Sequence, residues 1–376
     1  MEKKDTIQYV PTEPIAPGDT LLEVLEERGM TQQEFATRLG RPLKTVNGIV
    51  KGKNAITPET ALQFEQVLGI PARFWNNLES QYQELKLRIE SEKQNKALIP
   101  ESKNYPYLEM SKWGWIPVTR DSSKRVDNLL RYFGVTNFEN IVEEIKLQGA
   151  FRISDKHRYS MPAIVSWVRK GTIDAESIQT ESFDERKLKE LIPILRKMTH
   201  VDDPNTLLQQ LREEFAKCGI AFVVTQSLTN APISGLTRWI SPDKALIQMS
   251  LRWAWTDIFW FTLFHEVGHV LLDNKKDFNI DLISRKIDGD RESEKDKFAA
   301  DTLIPQQEYE KLVAKIHSNG NLAGIYDLVR SFAKYVDIHP GIVVGRLQHD
   351  KLMPPNMNGL RIRFMWKKPQ IKQEEL

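Results

Sequence analysis

Residues 258–273 read IFWFTLFHEVGHVLLD and contain the motif His265-Glu266-Val267-Gly268-His269. Residues four apart lie on one face of a helix, so the two imidazoles can bind one metal ion. Nearly every other side chain of the stretch is apolar, which predicts a buried helix. Two histidines and a glutamate buried without partners would destabilise the fold, whereas a metal ion satisfies them. The stretch therefore predicts a zinc site in which Glu266 takes a proton from a water on the metal. The alternative is a pair of hydrogen-bonded core histidines.

A third zinc ligand is expected downstream, because catalytic zinc usually has three protein ligands and one open position. Glu292 and Asp296 are four residues apart in a second predicted helix and share one face of it. One can bind the metal while the other accepts the outer N–H of a ligand histidine. We favour Glu292 as the ligand and Asp296 as the histidine's partner. Glu294 is the competing ligand, although it points about 200° away from Glu292 around the helix. A solvated run of charges remains the plain alternative.

HEVGH, Glu292 and the run DKFAADTLIP at 296–305 together resemble the ImmA/IrrE metallopeptidases. FWFTLFHEVGH and the run IHPGIVVGRLQHD at 338–350 resemble the subgroup that is fused to DNA-binding domains. The resemblance covers roughly residues 205–350 and implies a small zincin that cleaves transcriptional repressors. It also implies the roles of four residues. The zinc ligands are His265, His269 and Glu292, and the general base is Glu266.

Three further features of this region are left open by the sequence. Lys295 stands where the family often has alanine, and we expect its side chain to be exposed. Zincins commonly hold their substrate along a sheet edge, and the run 245–250 is either that edge or an interior strand. His339 and His349 could stabilise an oxyanion, but a lone histidine is more often structural.

Residues 31–50, TQQEFATRLG followed by RPLKTVNGIV, are typical of a helix-turn-helix. Thr31 and Glu34 form a capping box at the start of the first helix, and Gly40 provides the turn. Residues 31–54 contain five Lys or Arg residues and one acid, which makes a local basic patch. The alternative is a small helical unit without a role in DNA binding.

The run from residue 17 to residue 82 resembles HigA-type antitoxins of the Xre helix-turn-helix family. The resemblance implies a homodimer on a palindromic double-stranded DNA operator. It places base contacts and phosphate contacts on two sets of residues. The base contacts fall on Lys44, Thr45 and Asn47, and the phosphate contacts fall on Gln32, Lys51 and Lys53.

Composition limits the remaining classes of protein. The chain has 376 residues, which predicts two or three domains, and its net charge is only +2, so any basic patch is local. Cys218 is the single cysteine, which excludes an intramolecular disulfide and a cysteine-rich zinc knuckle. There is no apolar run of ~18 residues, and the first residues carry no signal-peptide pattern. We therefore expect a cytoplasmic protein without a membrane partner.

The sequence predicts an α+β, mostly helical chain of three parts. Residues 1–95 form a HigA/Xre-like helix-turn-helix domain with a linker helix, residues 96–202 a helical middle region of unknown role, and residues 203–376 a small zincin-like domain with a short sheet. The leading hypothesis is a DNA-binding transcriptional regulator whose zinc peptidase cleaves a repressor, a partner protein or itself. Self-cleavage would fall in an exposed segment such as 90–106. The alternative is a HigA-like antitoxin or repressor that acts by DNA and partner binding, with a structural or vestigial metal site.

Overall fold

The computed structural model describes residues 14–141, 159–250, 255–273, 279–282, 289–319 and 324–364, without the side chains of 279–282, 289–293 and 319. Two compact units are present, Met1–Ile99 and Pro100–Leu376, which we call the N-terminal and C-terminal units. The described residues are mostly helical with one small sheet, so the predicted α+β class is confirmed. The division at residues 95 and 202 stays a prediction.

The N-terminal unit is built from helices around an aromatic centre. Phe35 packs edge-on against Phe64, and Phe64 packs edge-on against Trp75, each pair with ring centroids 5.2 Å apart. Aromatic pairs in this geometry stabilise a small core beyond the area they bury. The helices are α1 (Pro17–Glu27), α2 (Gln32–Leu39), α3 (Leu43–Val50), α4 (Pro58–Leu68) and α5 (Ala72–Ala97).

The last helix of this unit covers part of the segment in which self-cleavage is expected. Because α5 extends to Ala97 and a short helix α6 (Ile99–Ser102) follows, residues 90–97 belong to a regular helix. Peptidases take their substrates as extended chains. Residues 90–97 are thus helical and mostly exposed, and self-cleavage within 90–106 stays a prediction.

The C-terminal unit surrounds one mixed sheet with helices. Its strands are β1 (Ile220–Thr225), β2 (Ile233–Ser241), β3 (Lys244–Ser250) and β4 (Asn279–Leu282). The helices after α6 are α7 (Tyr107–Lys112), α8 (Ser122–Phe133), α9 (Met161–Ser177), α10 (Glu185–Lys197), α11 (Pro204–Lys217), α12 (Thr256–Leu272), α13 (Gly289–Leu303), α14 (Gln306–Asn319), α15 (Ile325–Val336) and α16 (Pro340–His349).

The strand order is β1-β3-β2-β4. Strand β3 pairs in parallel with β1, where Ile247 lies opposite Phe222, and antiparallel with β2, where Ile247 lies opposite Thr237. Residues 245–250 are therefore an interior strand, and the alternative that they form an edge is wrong. Both faces of β3 are buried, which is typical of an interior strand.

The two faces of the sheet pack against different helices. On one face, Ile247 belongs to the core that also contains the apolar residues of α12. On the other, Leu246 packs with Ala175 of α9, and the Gln248 amide donates to the Trp167 carbonyl at 2.8 Å. Helix α9, from the predicted middle region, thus covers the back of the sheet. Within the described residues, no helix is long and apolar enough to cross a membrane.

Candidate metal centre and DNA-binding surface

The motif His265-Glu266-Val267-Gly268-His269 lies in the second half of α12. The helix is buried on nearly all sides, and His265, Glu266 and His269 are 3%, 0% and 4% exposed. One helical turn separates the two histidines, so their rings stand side by side. The Nε2 atoms of His265 and His269 lie 3.0 Å apart.

Carboxylates hold the outer nitrogen of each histidine. His265 Nδ1 lies 3.0 Å from Asp296 Oδ1, and His269 Nδ1 lies 2.6 Å from Asp273 Oδ2. Ionised carboxylates only accept hydrogen bonds, so both rings carry their proton on Nδ1. In this tautomer both Nε2 atoms carry a lone pair and lie 3.0 Å apart, which is unfavourable unless a metal ion or a proton lies between them.

This donor set fits a zinc ion. Two ligand nitrogens of a tetrahedral zinc ion lie about 3.3 Å apart, close to the separation seen here. Zinc-bound histidines usually donate their other N–H to a carboxylate or carbonyl, as both do here. Among the side chains that the structure describes, no third His, Cys, Asp or Glu completes a cluster with this pair.

The predicted third ligand, Glu292, has a side chain outside the described residues. Its backbone belongs to α13, one helical turn before Asp296. The competing residue Glu294 is exposed on the same helix. Helix α13 therefore brings the Asp296 carboxylate to the site and carries the Glu292 backbone beside it.

Glu266 lies between α12 and strand β2. The Thr237 hydroxyl donates a hydrogen bond to Glu266 Oε2 at 2.6 Å. The same hydroxyl oxygen lies 3.1 Å from the backbone carbonyl oxygen of Glu266. A Cβ at Gly235 would lie 2.2 Å from Glu266 Oε1, so only glycine leaves room for the carboxylate. Sequence reasoning missed both residues. A glycine within a strand can mark such a close approach, which is the one available signal.

The expectation that the side chain of Lys295 is exposed is wrong. Its side chain is 2% exposed rather than solvated, and its Nζ lies 2.5 Å from Asp273 Oδ1. Its stem packs on Gly268, where a Cβ would lie 3.3 Å from Lys295 Cγ. Burial raises the pKa of the Asp273 carboxyl, but hydrogen bonds from His269 and Lys295 outweigh it, and the pKa lies below its ordinary value.

The two other histidines that the sequence analysis considered, His339 and His349, make contacts of their own. His339 begins α16 and its Nδ1 accepts the Gly341 N–H at 3.0 Å, while burial lowers the pKa of the ring. His349 Nδ1 lies 2.9 Å from Asp350 Oδ1. The His339 contact is a helix cap.

The predicted DNA-binding residues lie on α2, α3 and the loop that follows. Thr31 caps α2 by accepting the Glu34 N–H at 3.1 Å. Val46 and Ile49 anchor α3 in the core. The remaining residues of the patch lie at the surface: Lys44, Lys51 and Lys53 are exposed, and Gln32, Thr45 and Asn47 are half-buried.

Ion pairs divide the basic patch into two groups. Arg38 pairs with Glu34 at 2.6 Å, and Arg41 pairs with Glu59 at 2.9 Å. The second pairing is not visible in residues 31–54, because Glu59 comes from α4. The other three cations, Lys44, Lys51 and Lys53, form no ion pair within the part of the chain that the structure describes.

Comparison with known proteins gives a separate match for each of the two units. Residues 21–75 match the family model described as helix-turn-helix, and residues 258–333 match the peptidase family model described as IrrE N-terminal-like domain. The uncharacterized HTH-type transcriptional regulator YddM of Escherichia coli K12 is 34% identical over 64 residues, which are 17% of this chain and 68% of that protein.

Two solved structures resemble the N-terminal unit in sequence. An addiction module antidote protein of the HigA family from Coxiella burnetii is 30% identical, covering 23% of this chain and 95% of that chain, with a TM-score of 0.21. The Pseudomonas aeruginosa antitoxin HigA, solved with the higBA promoter, is 31% identical, covering 22% of this chain and 90% of that chain, with a TM-score of 0.21. The chain belongs to the HTH-type transcriptional regulators through its N-terminal unit, and its C-terminal unit carries an IrrE-like peptidase domain.

Proposed function

We propose that the C-terminal unit is a zinc-dependent metallopeptidase that hydrolyses a peptide bond in a repressor, in a partner protein or in this chain. The observation that supports the proposal most strongly is the 3.0 Å approach of the His265 and His269 Nε2 atoms, with Glu266 buried on the same helix. A site used only for structure would not need a buried glutamate between its two histidines.

The zinc ion would be held by His265, His269 and Glu292. When bound, zinc supplies Lewis-acid activation of water and of the substrate carbonyl. Glu266 takes the proton of the attacking water and returns it to the leaving amine. Thr237 orients the Glu266 carboxylate through its hydroxyl, and Gly235 leaves space for it. Asp296 and Asp273 keep both imidazoles in the orientation that a metal requires.

The N-terminal unit is proposed to bind a palindromic operator as a homodimer. Lys44, Thr45 and Asn47 would contact base edges from α3, as recognition helices do. The phosphate contacts would come from Gln32, Lys51 and Lys53. The two paired arginines, Arg38 and Arg41, are expected to contribute less, because a phosphate would have to replace an existing carboxylate partner.

The test of the peptidase is proteolysis of the products of neighbouring genes by purified wild type, Glu266→Gln and His265→Ala. Wild type should bind one zinc ion per chain and cleave a substrate. Glu266→Gln should keep the zinc and lose cleavage, whereas His265→Ala should lose both. Equal cleavage by wild type and Glu266→Gln would overturn the mechanism.

The competing function is a HigA-like antitoxin or repressor that acts by binding alone. The separate core of the N-terminal unit favours it, because that unit contains the whole helix-turn-helix. A reporter under the native promoter separates the two, with wild type compared to Glu266→Gln under DNA damage or phage stress. Induction that requires Glu266 supports control by proteolysis. Equal induction in both strains would favour binding alone.

A further inference from the structure

A buried cation lies behind the proposed zinc site, on the side away from the metal-facing nitrogens. Lys295 is 2% exposed, and its ammonium lies 2.5 Å from Asp273 Oδ1. The other oxygen of the same carboxylate, Asp273 Oδ2, lies 2.6 Å from His269 Nδ1. The three residues therefore form a continuous chain from a buried ammonium to a histidine of the motif.

We propose that Lys295 is a positioning residue for the metal ligand His269 and that it acts through Asp273. The inference rests on the proposed zinc site. Lys295 helps to fix the ring of His269 without contacting the metal or the substrate.

Asp273 lies at the point where the helix of the motif ends. Helix α12 ends at Leu272, and Asp273 is its C-cap in an extended conformation, with φ −96° and ψ 161°. A carboxylate at the end of a helix has a helical turn on one side of it only, and here that turn provides His269. Two charge-assisted hydrogen bonds, one to each oxygen, constrain the carboxylate. Lys295 donates one of them, so its loss would remove one of the constraints on the Asp273 carboxylate.

Burial of the Lys295 ammonium carries a free-energy penalty. A buried ammonium is unfavourable unless it is paired and hydrogen-bonded. Lys295 is nevertheless buried in the fold. Gly268 has no side chain and leaves space for the aliphatic part of Lys295, and the Asp273 carboxylate pairs with the ammonium. A buried ion pair adds little net stability to a fold. The pair of Lys295 and Asp273 is therefore better explained by its effect on the position of Asp273.

The register of α13 along α12 places two neighbouring residues of α13 against the carboxylate and histidine groups of the site. Asp296, the next residue, reaches His265 Nδ1 at 3.0 Å. Neighbouring residues of one helix thus control both imidazoles, Asp296 directly and Lys295 through Asp273. The same helix carries Glu292, so its placement sets the orientation of the histidines together with the backbone position of the proposed third ligand.

The test uses the full-length chain and measures zinc affinity by competition with a chromogenic chelator. Lys295→Met keeps the length and apolar stem and removes the charge. We expect it to bind zinc about tenfold more weakly, at the lower end of the loss seen when partners of metal ligands are removed. Lys297→Met is the matched control, because Lys297 is exposed on the same helix, and its affinity should be unchanged.

A double-variant cycle separates positioning from general damage to the fold. Asp273→Asn should weaken zinc binding by ~10–100-fold. If Lys295 acts through Asp273, adding Lys295→Met to Asp273→Asn should lower zinc affinity little further. If the two changes damage packing independently, the two fold-losses of zinc affinity should multiply. The visible spectrum of the cobalt-substituted protein should change in Lys295→Met, since it reports the ligand field, and should not change in Lys297→Met.

The outcomes distinguish this inference from the proposed function. If wild type binds no zinc, the proposed function fails and this inference with it. If wild type binds zinc and Lys295→Met shows the same affinity and cobalt spectrum, or the losses multiply, only this inference is overturned. Lys295→Leu, which also removes the charge and the donor, replaces Lys295→Met in every comparison should that variant not fold.

Discussion

At the scale of single residues, the Glu266 carboxylate is constrained by a strand as much as by its own helix. Thr237 donates to it from β2, and Gly235 leaves the space that it occupies. A general base needs a fixed direction towards the water it deprotonates. The strand therefore supports the chemistry of the helix across the interior of the unit.

Removing the Thr237 hydroxyl should reduce hydrolysis without removing the metal. Thr237→Val keeps the shape of the side chain and loses the donor, and we expect kcat to fall by at least about tenfold, a part of the ~10²–10⁴ that a general base contributes. Thr237→Ser keeps the hydroxyl and is the control. The measurement is kcat on the cleaved protein together with zinc content. An unchanged kcat in Thr237→Val would show that Glu266 does not depend on this contact.

Cys218 provides a second prediction at this scale. It is 3% exposed, and burial raises the pKa of its thiol to about 11. The thiolate is the reactive form, so alkylation at pH 8 should be slower than that of a free cysteine by roughly two orders of magnitude. Because the chain has one cysteine, mass spectrometry of labelled protein reads this residue alone. Fast labelling of the folded chain would mean that this part of the C-terminal unit opens readily.

What the sequence could predict at this scale follows from distance along the chain. The pair His265 and His269 is local, because helical geometry places residues four apart together. Gly235 and Lys295 owe their roles to contacts between separate elements, which no local pattern contains. Lys295 was expected to be exposed because lysine is almost never buried unless it is paired, and its partner Asp273 is 22 residues away.

At the scale of elements, the sequence of β3 leaves an edge and an interior position open, and its burial in the structure decides for the interior. Residues 245–249 are buried on both faces, including the polar Gln248, and such a run is typical of an interior strand. The order β1-β3-β2-β4 could not be read, since it depends on a parallel pairing between β1 and β3. The pairing of β4 with β2 joins segments separated along the chain by β3 and α12.

Arg196 connects the ends of two helices and gives a prediction of its own. Its Nη2 donates to the Leu303 carbonyl at 3.3 Å and to the Val336 carbonyl at 2.8 Å, the last residues of α13 and α15. A cation is favourable at these ends, where carbonyls lack helical partners. Arg196→Met should lower the free energy of unfolding of the C-terminal unit by ~1–3 kcal/mol.

The control for this change is Lys197→Met, because Lys197 is exposed at the neighbouring position. Denaturant unfolding followed by Cys218 labelling measures both variants. Since α13 carries Asp296 and Lys295, zinc affinity should also fall in Arg196→Met, by less than in Asp273→Asn. Equal midpoints for the two variants would show that the helix ends are held by other contacts.

At the scale of the whole molecule, the basic surface and the metal centre belong to different units. Lys44→Ala and Asn47→Ala should weaken specific operator binding by ~1–3 kcal/mol each. Lys51→Ala should weaken all sequences alike and reduce the salt slope by about one. Arg38→Ala is the matched control, because Arg38 is already paired with Glu34. Fluorescence anisotropy at several salt concentrations checks this, and an Arg38 effect as large as that of Lys51 would contradict it.

The two units should also unfold separately, because each has its own apolar core. The described zinc-site residues all lie in Pro100–Leu376, so metal stabilises only that unit. Free zinc at 1,000 times its Kd adds ~4 kcal/mol to the free energy of unfolding of that unit. This raises the unfolding temperature by roughly 10 °C for a unit of this size. A chelator should therefore lower the temperature at which Cys218 becomes reactive by about that amount. The temperature at which operator binding is lost should stay the same.

Glu266→Gln, which keeps its zinc, should respond to the chelator as wild type does. A fall of both temperatures together would show that the units unfold as one cooperative structure and that metal occupancy reaches the operator.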